Sequence, residues 1–180
     1  SIFENLNLSF QKDTHNLILG PNGSGKSTLI GLITGIYTPN SGSIFVSSDR
    51  FSYVGPVPLI FNESLLNNIA YGVDNEEVER SDYLDYLDKF KVFEKLNNDI
   101  LDMQVSTRSL SSGQMQKISF IRAFLRNPEI LFLDEAISNI DKESVEIITD
   151  QLEKFSGTIL NITHNPEKFK NTDKIFKILN

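Results

Sequence analysis

Apolar and polar positions along this 180-residue chain fall into two spacings that predict two kinds of element. Short apolar runs such as Asn16-Leu17-Ile18-Leu19, Ile130-Leu131-Phe132-Leu133 and Thr158-Ile159-Leu160-Asn161-Ile162-Thr163 suit strands. Four apolar residues in a row, as at 130–133, leave no polar face and describe a strand buried on both sides. Three- and four-residue spacing appears from Ser27 to Tyr37, through Leu29, Ile30, Leu32, Ile33 and Ile36, and predicts a helix. It returns after Leu110 through Ile118, Ile121, Ala123, Phe124 and Leu125, where Asn127-Pro128 closes the pattern. Tyr83 to Phe90 alternates apolar positions with acids at the same spacing, an amphipathic helix whose acids face solvent and receive no chemistry. Ile2 to Phe10 alternates and predicts an antiparallel edge strand, Lys174 to Leu179 is strand-like, and Ser47 to Arg50 links two strand-like runs. Strands interleaved with helices predict an α/β fold around a parallel sheet.

The junction of the first buried strand and the first helix carries chemistry. Gly20-Pro21-Asn22-Gly23-Ser24-Gly25-Lys26-Ser27-Thr28 fits the pattern G-x-x-x-x-G-K-[ST] without a mismatch. Glycines there let backbone N–H groups turn inward around an anion, Lys26 sets a cation beside the outer phosphates, and the Ser27 hydroxyl can ligate Mg²⁺. The ligand that this loop predicts is a nucleoside triphosphate.

Two carboxylates, Asp134 and Glu135, end the run that begins at Ile130. Buried parallel strands deliver ligands at their carboxyl ends, so Asp134 is expected in the Mg²⁺ shell and Glu135 beside the attacking water. Leu110-Ser111-Ser112-Gly113-Gln114 precedes the second helical pattern, and Ser111 or Ser112 can cap that helix while its free N–H groups point at an anion. His164 follows the strand that begins at Thr158.

These segments, in this order, resemble the ATP-binding cassette family over essentially the whole chain. Asn22 to Ser27 is similar to its phosphate loop, Leu110 to Gln114 to its signature sequence with Ser112 where a glycine is usual, and Leu131 to Glu135 to its acidic strand. Ser138-Asn139-Ile140-Asp141 is similar to the loop that crosses the dimer interface, and Thr163-His164 to the switch histidine. The resemblance implies a P-loop NTPase core with antiparallel edge strands and an inserted helical subdomain at about 62–127. It implies ATP and Mg²⁺ as ligands, and a head-to-tail dimer with a second nucleotide-binding domain in which Ser111, Ser112, Gly113, Gln114 and Asp141 complete the partner's site. His164 would contact the γ-phosphate. The stretch Leu59 to Gly72 looks most like the exporter branch. That implies a transmembrane domain docking near residues 55–72, a place at the cytoplasmic face of a membrane, and ATP hydrolysis coupled to transport. Where the family places a glutamine that touches Mg²⁺ and relays contact to the membrane domain, this chain has Tyr53-Val54-Gly55-Pro56-Val57-Pro58, and Pro56 offers neither a side-chain oxygen nor an N–H. The family's adenine-stacking aromatic would precede Ser1.

Composition narrows the classes. At 180 residues the chain suits one domain, 1–180, read as a piece of something larger because both ends fall in strand-like segments. No apolar run approaches the roughly 20 residues of a membrane-spanning helix, and no signal segment opens the chain. The absence of cysteine excludes disulfides and zinc–thiolate sites. An excess of 24 acidic over 17 basic side chains argues against a nucleic-acid partner. A non-hydrolysing regulatory cassette and a non-transport ATPase of DNA repair or translation stand as the alternatives.

Overall fold

The three buried runs become neighbouring strands of one sheet. The computed structural model describes residues 2–73, 78–97 and 99–178. Its strands are β1 (His15–Leu19), β2 (Phe51–Val54), β3 (Glu63–Ser64), β4 (Gln104–Val105), β5 (Ile130–Asp134), β6 (Thr158–Ile162) and β7 (Lys174–Lys177). Its helices are α1 (Lys26–Ile33), α2 (Leu65–Ala70), α3 (Arg80–Lys89), α4 (Ser112–Leu125) and α5 (Lys142–Glu153). Five strands pair in the order β2-β5-β6-β1-β7, all parallel. β3 and β4 form a separate antiparallel pair, with Glu63 opposite Val105.

Parallel order follows from composition: β5 and β6 are buried at every position, which requires cover on both faces. Leu131 and Leu133 enter one core cluster with Ile118, Ile121 and Ile148, whereas Ile130 and Phe132 enter the other with Leu29, Ile30 and Ile18. Alternate side chains of one strand therefore hold helices on opposite sides of the sheet. Burial of a residue such as Phe132, 1% exposed, contributes about 2–3 kcal/mol. No helix among the described residues is long and apolar enough to cross a membrane.

Three local expectations change. α1 stops at Ile33 because Gly35 turns left-handed at φ 78°, and Ile36 is left 74% exposed. Ile2 to Phe10 forms no strand: Asn5, at φ 55°, interrupts the extended run, although Phe3, Leu8 and Phe10 still pack on the core around α1. Of the two runs joined by Ser47 to Arg50, only the second is a strand. Leu179, the last position of the carboxyl-terminal run, lies outside the described residues.

At the amino ends of the strands the polar groups are structural. His15 receives the Asn161 amide at 3.2 Å and the edge of Phe169 at 5.5 Å. Burial pulls its pKa down to about 4 against the opposing pull of Asp173, so the ring is neutral and accepts from Asn161.

Candidate functional site

The opposite, carboxyl-terminal edge of the sheet is where the predicted chemistry gathers. β1 feeds the phosphate loop, β6 feeds His164, and β5, on the far side of β6, ends at Asp134 and Glu135. This is the crevice in which open α/β sheets hold ligands.

The loop is built to accept an anion. Gly23 and Gly25 take φ 79° and 92°, which other residues rarely adopt. A Cβ on Gly25 would also meet Ile2 Cγ2 at 2.5 Å and Phe3 Cζ at 2.8 Å. α1 begins directly after Gly25 with no side-chain cap and no acid in its first turn, so its first N–H groups and its dipole are uncompensated. The Ser24 hydroxyl is buried and has no hydrogen-bond partner among the described residues. Lys26, 5% exposed, donates to the carbonyls of Gly20 and Pro21, both at 2.9 Å. Asn22, Gly23, Gly25, Lys26, Ser27 and Thr28 line a groove of about 410 Å³, closed by Ile2 and Glu135. An uncapped helix and a buried cation on one groove fit a phosphate chain. Ser27 and Asp134 offer oxygen ligands of the kind Mg²⁺ takes when phosphate oxygens and water complete its shell, and no cluster of three or more His, Cys, Asp or Glu suits a metal among the described residues.

Glu135 is placed by its backbone. At φ 51° it leaves the strand in a left-handed conformation, a strain of roughly 1–3 kcal/mol, held by its N–H donating to the Ile162 carbonyl at 2.9 Å. That turn sends the side chain to the groove, where Oε1 lies 2.9 Å from His164 Nε2, with each side chain about one-third exposed. Asp134 is 8% exposed and accepts from the Tyr53 hydroxyl at 3.4 Å. Burial first, and Asp134 second, push the Tyr53 phenol up to about 12.

The signature segment sits elsewhere. Ser111 is the cap: its Oγ accepts from the Gln114 N–H at 3.2 Å, while Gln114 Oε1 accepts from the Ser111 N–H at 2.9 Å. Ser112 is the first residue of α4, and Gly113 faces α5, where an added Cβ would run into Ser144 Oγ and Asp141 Oδ2. Asp141 caps α5, accepting from the Ser144 N–H and hydroxyl, each at 2.8 Å, and these bonds hold its carboxyl below the usual range. Ser111 to Gln114 and Asp141 are thus brought together near one another, and none of them lines the phosphate groove.

The ABC transporter family matches residues 3–138. This chain belongs to that family. It is 34% identical to the ATP-dependent permease MDL1 of Candida albicans over 97% of its own length and 28% of that protein's. It is 33% identical to the mitochondrial ATP-binding cassette sub-family B member 10 of Mus musculus, over 96% and 27% of the two chains. It is 33% identical to ABC transporter B family member 21 of Arabidopsis thaliana, over 97% and 15%. The chain therefore spans well under a third of the curated relatives it matches. The fold matches that of a bacterial Atm1-family ABC exporter solved with ATP bound, at a TM-score of 0.81 and 24% identity, over 93% of this chain and 32% of that one.

Several residues of this ABC domain escaped the sequence reading. Gln116, 1% exposed on α4, donates to the Gly55 carbonyl at 2.9 Å. Arg122 donates from Nε to the Asn68 carbonyl, from Nη1 to the Leu59 carbonyl and from Nη2 to Asn68 Oδ1 at 3.3 Å. Burial lowers the Arg122 pKa to about 10, still a cation. Asn68, fully buried, clamps Phe61 by accepting from its N–H and donating to its carbonyl, at 2.8 and 3.1 Å. Arg122 and Asn68 thus pin residues 59–71 to α4 beside a groove of about 460 Å³ that runs from Tyr53 to Leu59 and across to Arg126. The available signal was Arg122 itself, a charge inside an otherwise apolar helical pattern.

Proposed function

We propose that this domain binds Mg·ATP in the phosphate-loop groove, pairs head-to-tail with a second cassette, and hydrolyses ATP to drive export across a membrane. The observation that carries the reading is the 2.9 Å contact of Glu135 with His164 on the groove that also holds Lys26 and Ser27. A base next to a phosphate loop, with a second group holding it in place, is the arrangement hydrolysis needs.

In this reading Lys26 exchanges the Gly20 and Pro21 carbonyls for the outer phosphate oxygens, and the N–H groups from Asn22 to Thr28 cradle the rest. Ser27 and Asp134 would hold Mg²⁺, which would supply charge neutralisation for the phosphoryl group. Glu135 orients water and takes its proton as the water oxygen bonds to the γ-phosphorus and the bond to ADP breaks. His164 fixes Glu135 Oε1 and faces the γ-phosphate. Ser111, Ser112, Gly113 and Gln114, with Asp141 beside them, serve the opposite cassette; that none of them lines the domain's own groove supports that division.

The transmembrane partner docks over residues 53–59 and 71–72 at the cytoplasmic face. Val57 (84% exposed), Leu59 and Tyr71 give that groove an apolar rim, as a helix-docking surface requires. Glu135→Gln should keep ATP binding and lower turnover by about a hundredfold or more. Turnover at the wild-type rate overturns the assignment of Glu135 as the base.

A further inference from the structure

We propose that Tyr53 is a positioning residue for the metal-binding carboxylate, fixing Asp134 from the neighbouring strand. The inference rests on the reading of Asp134 as an Mg²⁺ ligand and names what orients it.

Strand register makes the reach specific. Tyr53 pairs with Phe132, two residues before Asp134, so at about 3.3 Å per residue a side chain must span roughly 6–7 Å along the sheet to touch the carboxylate. A phenol is long enough, and the hydroxyl arrives 3.4 Å from Asp134 Oδ2. Among the described residues it is the side-chain hydrogen-bond partner of Asp134.

Tyr53 is 51% exposed and its ring lies across Gly55: a Cβ there would sit 2.9 Å from the Tyr53 hydroxyl and 3.0 Å from its Cε1, so an added methyl would press on the ring. Gly55 is itself held, because its carbonyl accepts from the buried Gln116 amide at 2.9 Å. From residue 52 to 58 only Ser52 and Tyr53 carry a side-chain oxygen. Ser52 is buried and donates to the Ala123 carbonyl at 3.1 Å, leaving Tyr53 as the group free to meet Asp134. Pro56 contributes no polar side chain and no N–H.

A carboxylate with one oxygen tied to a fixed donor has its other oxygen aimed and its rotation restrained, which lowers the cost of entering a rigid octahedral shell. Tyr53 therefore acts on the metal through Asp134, and Gln116 ties that arrangement to α4.

The test separates metal from nucleotide. ATP affinity of the 180-residue chain is measured by titration calorimetry with Mg²⁺ and again in chelator, and the ratio of the two reports the metal's share. Tyr53→Phe keeps the ring and removes the hydroxyl; it should leave the chelator value unchanged and lower the ratio about threefold to tenfold, the worth of one modest hydrogen bond. Gly55→Ala, which displaces the ring, should lower the ratio likewise, and Asp134→Asn should lower it further. A general packing defect would shift both affinities together, which overturns the inference. A normal loss for Asp134→Asn with an unchanged ratio for Tyr53→Phe overturns the Tyr53 assignment alone. An unchanged ratio for Asp134→Asn overturns the metal role of Asp134 and this inference with it.

Discussion

α1 and α4 both begin at a segment expected to meet phosphate, and they begin in opposite ways. α1 starts after a left-handed Gly25 with no side-chain cap, no acid in the first turn, and beside it a buried Ser24 hydroxyl that has no partner among the described residues. α4 starts with a complete capping box in which Ser111 and Gln114 satisfy each other's backbone N–H groups. An uncapped amino terminus left facing a buried lysine is unstable by itself and gains most when an anion arrives. A capped terminus needs no ligand to be formed. The Ser111 oxygen accepts from Gln114 and still has its own proton to give, so it can meet a phosphate brought by another chain without dismantling the cap. In the proposed function the first end binds nucleotide within the single domain, and the second is a finished surface that acts on closure.

The largest effect tests that division at the dimer. Glu135→Gln should trap a nucleotide-dependent pair, seen as doubled mass in sedimentation with excess Mg·ATP. Adding Ser111→Arg should abolish the pair, weakening it by about a hundredfold or more, because a guanidinium fills the γ-phosphate position. An undiminished pair would reduce the signature segment to a capped helix.

A second comparison is made in a single domain. Lys26→Ala should lower Mg·ATP affinity at least about tenfold, or about 1.4 kcal/mol, whereas Ser111→Ala should leave it within about twofold. Equal losses in calorimetry would break the contrast between the two helix ends. The smallest effect is on stability. Ser111→Ala should cost about 1 kcal/mol in urea unfolding by removing the cap, and Gly25, which contributes no side-chain cap, has no counterpart loss to show.

Much of this was legible along the chain because the relevant interactions are local. A capping residue and the N–H it accepts from are three positions apart, a phosphate loop is nine consecutive residues, and a strand buried on both faces is a run of apolar side chains. The choice between Ser111 and Ser112 as cap required backbone geometry: Ser111 has the extended ψ of 160° that a cap takes, and Ser112 is already helical. The extent of α1 was overread because Ile36 continues the spacing, while Gly35 supplies the stop. The alternation from Ile2 to Phe10 suggested a strand, but pairing needs an unbroken extended run as well as a pattern, and Asn5 breaks it.

The sequence by itself determined the buried strands, the main helices and where the candidate chemistry falls along them: the phosphate-loop pattern, the acids at 134 and 135, and the histidine after β6. These depend on side chains adjacent in the chain, whose spacing a linear reading preserves. Tertiary structure alone decided which of them meet. The order β2-β5-β6-β1-β7 brings Glu135 to His164 and Tyr53 to Asp134, and folds Gly113 onto Asp141. Those contacts join residues tens of positions apart, and they arise from burying both faces of the central strands, a constraint that acts on the whole sheet at once.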